Sequence, residues 1–248
     1  MPLFCDYKRS ILGDAEYESN RSSPVLNWLR YRQVANAAGR DADREAMQAD
    51  LQAITDAGFL ASADSMNSFW TTYQRAIELW YGDRYTAKQI PSLIERVRGG
   101  TYAEVNEIFA EFAQLAHVRG NFILVSRYLP SGSAEARSMN RLRGGFRSKW
   151  RDYWDLTLVG IKTGEFDEFF KRSPQHPEFD LDALGGFDGY IDRYDLDMYV
   201  DSHGAVKPLW PGHLEEGAKA LPQSKDDVMH FVENACSAIR ERENRLAV

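Results

Sequence analysis

Apolar residues in this chain recur mostly at three- and four-residue spacing, the period of amphipathic helices. Ser23-Pro24 followed by VLNWLRYRQVANAAG predicts a capped helix: serine accepts orphan N–H groups, proline suits the first helical position and Gly39 ends the run. A second helix is expected over 41–57, with Met47, Leu51 and Ile54 on one face and Gly58 as its stop. A third, over 65–81, sets Phe69, Tyr73, Ile77 and Trp80 in one aromatic stripe, read as core. A short helix over 91–98 ends at Gly99-Gly100. Thr101 and Glu104 then form a capping-box pattern before Val105, Ile108, Phe112 and Leu115.

The run NFILVSRY over 121–128 has the composition of a strand, and 130–133 that of a turn. Further helices are expected over 146–161, over a short piece at 166–171, and through Phe187, Tyr190, Ile191, Tyr194 and Met198. The last has Asp188, Asp192 and Asp195 on its far face. Residues 202–223 are loop-rich, and Ser224 with Asp227 opens a final helix that buries Val228, Phe231, Ala235 and Ile239. The fold class is therefore mainly α: a single globular helical domain over 1–248, with a small β element around 121–128.

At 248 residues, 44% hydrophobic and 12% aromatic, the chain can build a core without staples. Two cysteines, Cys5 and Cys236, lie far apart and fit a reducing compartment. No leader segment is readable at the N-terminus and no run approaches 18 apolar residues, so a soluble, cytoplasmic protein with no membrane partner is expected.

Net charge is −7, which disfavours general nucleic-acid affinity. The charge is polarised along the chain, however. Residues 137–151 carry six basic side chains and no acidic one, whereas 165–227 carry fifteen acidic and six basic. Within the basic stretch Gly144 and Gly145 permit close backbone approach, and a following helix offers free N–H groups. Arg143, Arg147 and Arg151, with Asn140 and Gly144, thus form a candidate pocket for a phosphate or carboxylate. The plainer account pairs these arginines with the acidic C-terminal third, or lays their stems over aromatic side chains.

Asp152 and Asp155, three apart on the expected 146–161 helix, are the candidate catalytic carboxylates. Orientation of the neighbouring arginines is their preferred role. His203 and His213 share a loop-rich region and are the one histidine pair that metal binding suggests, but no ligand-spaced motif supports a metal or any cofactor. Asp192, Asp195, Asp197 and Asp201 read as a solvated face rather than a cation site.

Asn140-x-x-Arg143-Gly144, followed by Asp152-x-x-Asp155-Leu156-Thr157-Leu158, resembles an uncharacterised family of bacterial domains of unknown function. That family carries an apolar strand ending in proline, an Asn-x-x-Arg-Gly turn and an Asp-Arg-Phe-Asp-Leu-Thr-Leu helix. Here Tyr153 stands in place of its Arg. Residues 62–80 resemble its Ser-x-Asp-Ser-Ile helix, and Gly186-Phe187-Asp188-Gly189-Tyr190 another helix start. The resemblance implies no activity.

The expected function is binding of an anionic ligand, nucleotide or nucleic-acid phosphate, by the central basic loop. An enzyme acting on a phosphorylated or nucleotide substrate is the alternative, and a protein-interaction subunit using the acidic third is another. Oligomeric state is not legible.

Overall fold

The computed structural model describes residues 22–37, 61–128, 137–138, 153–165 and 180–246, together with Leu12, Gly13 and Ala15. Helix α1 (Pro24–Ala37) begins where Ser23-Pro24 places it, with the Asn27 N–H donating to the Ser23 carbonyl at 3.1 Å. The helices expected over 41–57 and 166–171 lie outside the described residues.

Strand β1 (Ala61–Ser65) corrects the helix that the family resemblance implies from residue 62, and the helix expected over 65–81 starts only at Phe69. The segment is extended because β2 (Phe122–Tyr128) supplies an antiparallel partner, with Ala61 opposite Ser126 and Ser65 opposite Phe122. A short β3 (Arg137–Ser138), the first residues of the basic stretch, pairs with Arg127 and Tyr128 on the other edge. The β element expected around 121–128 is thus the centre of a small three-stranded sheet. The rest of the described fold is mainly helical.

Helix α2 (Phe69–Tyr81) starts after the Met66-Asn67 turn and stops at Gly82, which adopts φ +75. Its core face holds Phe69, Tyr73 and Ile77, as the stripe predicts. Then come α3 (Ile90–Arg98), α4 (Ala103–Ile108) and α5 (Ala110–Leu115), the last two separated at Phe109. The Thr101/Glu104 capping box does not form. Tyr102 takes the N-cap position, and the Glu104 carboxylate instead accepts the Trp80 indole N–H at 2.7 Å.

Helix α6 (Trp154–Lys162) is shorter than expected. Tyr153 is extended (φ −137), so the helix begins at Trp154; the part expected before Tyr153 lies outside the described residues. Helix α7 (Gly186–Arg193) ends before Tyr194. Asp195 sits in the following turn at φ +51, and Asp197 in a 3-10 turn (Asp197–Tyr199). The acidic residues from 192 to 201 are therefore spread over several elements rather than one helix face. Helix α8 (Lys225–Leu246) opens on the predicted cap, with Asp227 N–H donating to Ser224 Oγ and Ser224 N–H to Asp227 Oδ2, both at 3.1 Å.

Two apolar clusters carry the packing. The larger joins α1 to α5 with Tyr153, Leu209, Trp210 and the Val228–Phe231–Ala235–Ile239 face of α8. The smaller gathers Met66, Phe122 and Ile123 with α6, α7 and Tyr199, and touches α8 at Ala238. Helix α8 contributes to both, and so do α1, through Tyr31 against the smaller cluster, and α6, through Leu156 against the larger. No helix among the described residues is long and apolar enough to cross a membrane.

Candidate active site

Asp155 lies in the first turn of α6, where free backbone N–H groups and the helix dipole favour negative charge. The extended Tyr153 and the buried Trp154 fix how the chain enters the helix, and they turn Asp155 inward, to 0% exposure. Its Oδ1 accepts the Leu156 N–H at 2.8 Å. Oδ2 accepts the Leu209 N–H at 2.9 Å and the His213 Nδ1–H at 2.6 Å.

His213 reaches that carboxylate from a tight turn in which its N–H donates to the Trp210 carbonyl at 3.2 Å. Gly212 adopts φ +77 there, a conformation that a side chain would strain. The turn lays the imidazole on Trp210, ring centroids 3.4 Å apart. Tyr153 meets both rings edge-on, at 5.3 Å from His213 and 5.0 Å from Trp210, and Phe231 of α8 packs behind Tyr153 and Trp210. The imidazole therefore has one orientation, set by an aromatic wall and a carboxylate.

An ionised carboxylate can only accept, so opposite an ionised Asp155 the His213 hydrogen sits on Nδ1 and a neutral ring leaves its lone pair on Nε2. Nε2 is buried and has no hydrogen-bond partner among the described residues. An unsatisfied buried polar atom costs about 1–3 kcal/mol and calls for an explanation. A carboxylate behind Nδ1 and an unspent Nε2 ahead of it form the arrangement in which histidine serves as a proton-transfer group.

The carboxylate's acceptors also make a prediction. In Asp155→Asn, one oxygen becomes an NH₂ that faces the N–H donors, leaving at least one of them unpaired. A loss of about 2–3 kcal/mol is expected in urea unfolding, with little change in the slope of the transition.

A second polar layer adjoins the pair. The Asn67 amide NH₂ donates to the Tyr199 hydroxyl at 2.9 Å, and the Asn121 side chain bridges the Asn67 backbone, accepting from its N–H at 3.0 Å and donating to its carbonyl at 3.1 Å. Burial pushes the Tyr199 hydroxyl up to about 12, and both Asp155 and Arg242 act on it electrostatically. A buried anion, a buried cation and a neutral phenol thus share one interior region.

Of the site residues expected from sequence, only Asp155 is described, and its partner is a histidine rather than an arginine. Asn140, Arg143, Gly144, Arg147, Arg151 and Asp152 lie outside the described residues. The His203–His213 metal pairing is not what the structure builds. His213 is committed to Asp155, while His203 is exposed in a turn where its N–H meets Asp201 Oδ1 at 2.8 Å. Among the described residues no group of three His, Cys, Asp or Glu side chains is placed to hold a metal ion. Sequence reasoning missed His213 as the partner of Asp155 because 58 residues separate them; its one local signal is the Pro-Gly-His turn after Trp210.

Fold and site together define a mainly α-helical protein organised around a buried carboxylate–imidazole pair. Residues 97–246 match a family of unknown function, DUF6994, and the chain belongs to that family. No curated protein and no solved structure matches it significantly.

Proposed function

We propose that this protein is an enzyme acting on an anionic substrate, phosphorylated or nucleotide, with His213 as its proton-transfer group and Asp155 as the residue that orients it. The observation that carries this reading is the His213 ring, held by Asp155 on one side with an unspent Nε2 on the other. A neutral imidazole there takes a proton from an attacking water or hydroxyl and returns it to the leaving oxygen, a role worth about 10²–10⁴-fold in rate. Asp155 supports the imidazolium formed in between. The anion falls to the basic stretch, with Asn140, Arg143, Gly144, Arg147 and Arg151 as its holders. In the chain Arg151 comes two residues before Tyr153, whose ring borders His213.

The test is ¹⁵N NMR of the histidine side chains at low salt, with pyrophosphate and the ribonucleoside triphosphates added in turn. One imidazole resonance, absent from His213→Gln, is expected to move with ligand and to stay put in Arg143→Glu/Arg147→Glu. An unmoved His213 resonance with every ligand, together with a His213→Phe variant at least as stable as the parent, makes the pair structural and removes the proposal.

A further inference from the structure

Helix α2 buries Phe69, Tyr73 and Ile77 and turns Thr71, Gln74, Arg75 and Glu78 the other way, at helical spacing. That outer face forms one wall of a cleft of about 600 Å³, within the size range of small-molecule sites. Arg84 and Tyr85 line it beyond the helix end, and Lys219, Leu221 and Gln223 line it from across.

The walls are tied to one another. Arg75 Nε donates to the Pro222 carbonyl at 2.7 Å, and the Gln74 amide donates to the Tyr85 carbonyl. The far wall is anchored to α8, since the Gln223 N–H donates to Asp227 at 2.8 Å. The walls of this open cleft are thus held in place by hydrogen bonds, which lowers the ordering cost of binding.

Its charge has the opposite sign to that of the chain. Among the residues that line it are three cations, Arg75, Arg84 and Lys219, and one carboxylate, Glu78, so the lining is net positive in a protein of net charge −7. Glu78 takes Arg75 on one oxygen, at 2.9 Å, and Arg84 on the other. These guanidinium groups, Arg75 first, hold the Glu78 carboxyl below its ordinary range. One carboxylate thereby gathers two guanidiniums at the mouth of the cleft. Arg84 is 81% exposed and, among the described residues, pairs only with Glu78. Lys219 is exposed, and no ion pair or hydrogen bond with another described residue occupies its ammonium.

We infer that this cleft binds a small organic oxyanion, with its phosphate or carboxylate on Arg84 and Lys219 and its apolar part against Leu221. The site is separate from the Asp155–His213 pair and does not depend on the function proposed for it. Guanidinium and ammonium groups suit the oxyanion, and Leu221, on the same wall as Lys219, gives an organic ligand an advantage over the bare ion.

The experiment is isothermal titration calorimetry of the full chain at low salt with adenosine monophosphate, inorganic phosphate and pyrophosphate as separate probes. One-to-one binding of adenosine monophosphate, tighter than that of phosphate, is expected. Lys219→Glu should weaken it at least about tenfold at unchanged melting temperature, because it replaces an attractive charge by a repulsive one. Arg98→Glu, which alters net charge equally on α3, should leave binding unchanged, and so should His213→Gln. No measurable binding overturns the inference, as does equal weakening by Lys219→Glu and Arg98→Glu. Phosphate bound as tightly as adenosine monophosphate removes the organic part of the assignment. Loss of binding in His213→Gln moves the ligand to the Asp155–His213 pair.

Discussion

Arg242→Met is expected to lower stability by more than about 3 kcal/mol, read as an earlier midpoint in urea, or to leave the chain unfolded. The Arg242 side chain is buried in α8 and its donors go to backbone carbonyls rather than to a carboxylate. Nε donates to the Tyr194 carbonyl at 3.1 Å, and Nη1 to those of Gly120, at 3.2 Å, and Phe122. Burial lowers the guanidinium to about 10, which still leaves it charged at neutral pH. Methionine removes that desolvation penalty, and for some buried ions such a swap stabilises. Here it also removes one donor from each of three carbonyls, at about 1–3 kcal/mol for each one left unsatisfied, and that loss exceeds the relief. Arg242→Lys should recover only part of the stability, because one ammonium cannot reproduce the spread of a guanidinium.

The second large effect is expected from Gly120→Ala. A Cβ at Gly120 falls 2.4 Å from the Ile239 carbonyl oxygen and 2.9 Å from both the Glu243 amide nitrogen and its Cβ. Most of these atoms are helix backbone, which cannot rotate aside. Either α8 or the 3-10 turn Arg119–Asn121 must shift, and both are held by the Arg242 hydrogen bonds. A loss near the upper end of the about 1–3 kcal/mol typical of overpacking is expected. Gly99→Ala, where the added carbon meets its neighbours at an ordinary 3.5 Å, serves as the near-neutral comparison. Since Gly120 and Arg242 serve the same contact, the double variant should lose less than the two single losses added together. Full additivity in a double-mutant cycle would show that they act apart.

Features decided by neighbouring residues were readable from the chain. Ser23-Pro24 and the Ser224/Asp227 box announced their helices, and NFILVSRY its strand, because caps and β-branched runs act within a few residues. Features decided by distant partners were not. Residues 61–65 are small and polar, and they become a strand only because β2 lies beside them. Thr101 and Glu104 have capping-box spacing, but Trp80 competes for the glutamate and wins. Arg242 falls in the run RERENR, which reads as solvated, and is buried because the 119–122 segment turns carbonyls toward it. The Asp155–His213 pair had one half visible: the carboxylate was singled out, while its imidazole came from a loop with no sequence motif. The basic stretch around Arg143 rests on the sequence alone.

The lateness of α8 in the chain has a consequence for how this protein is made. A ribosome delivers Gly120 122 residues before the Arg242 side chain that caps its carbonyl. Both apolar clusters likewise wait for α8. During that interval the emerging chain carries unclosed apolar surface, a feature that invites association with other nascent chains and with chaperones. Native packing across both clusters therefore waits until α8 has emerged and docked.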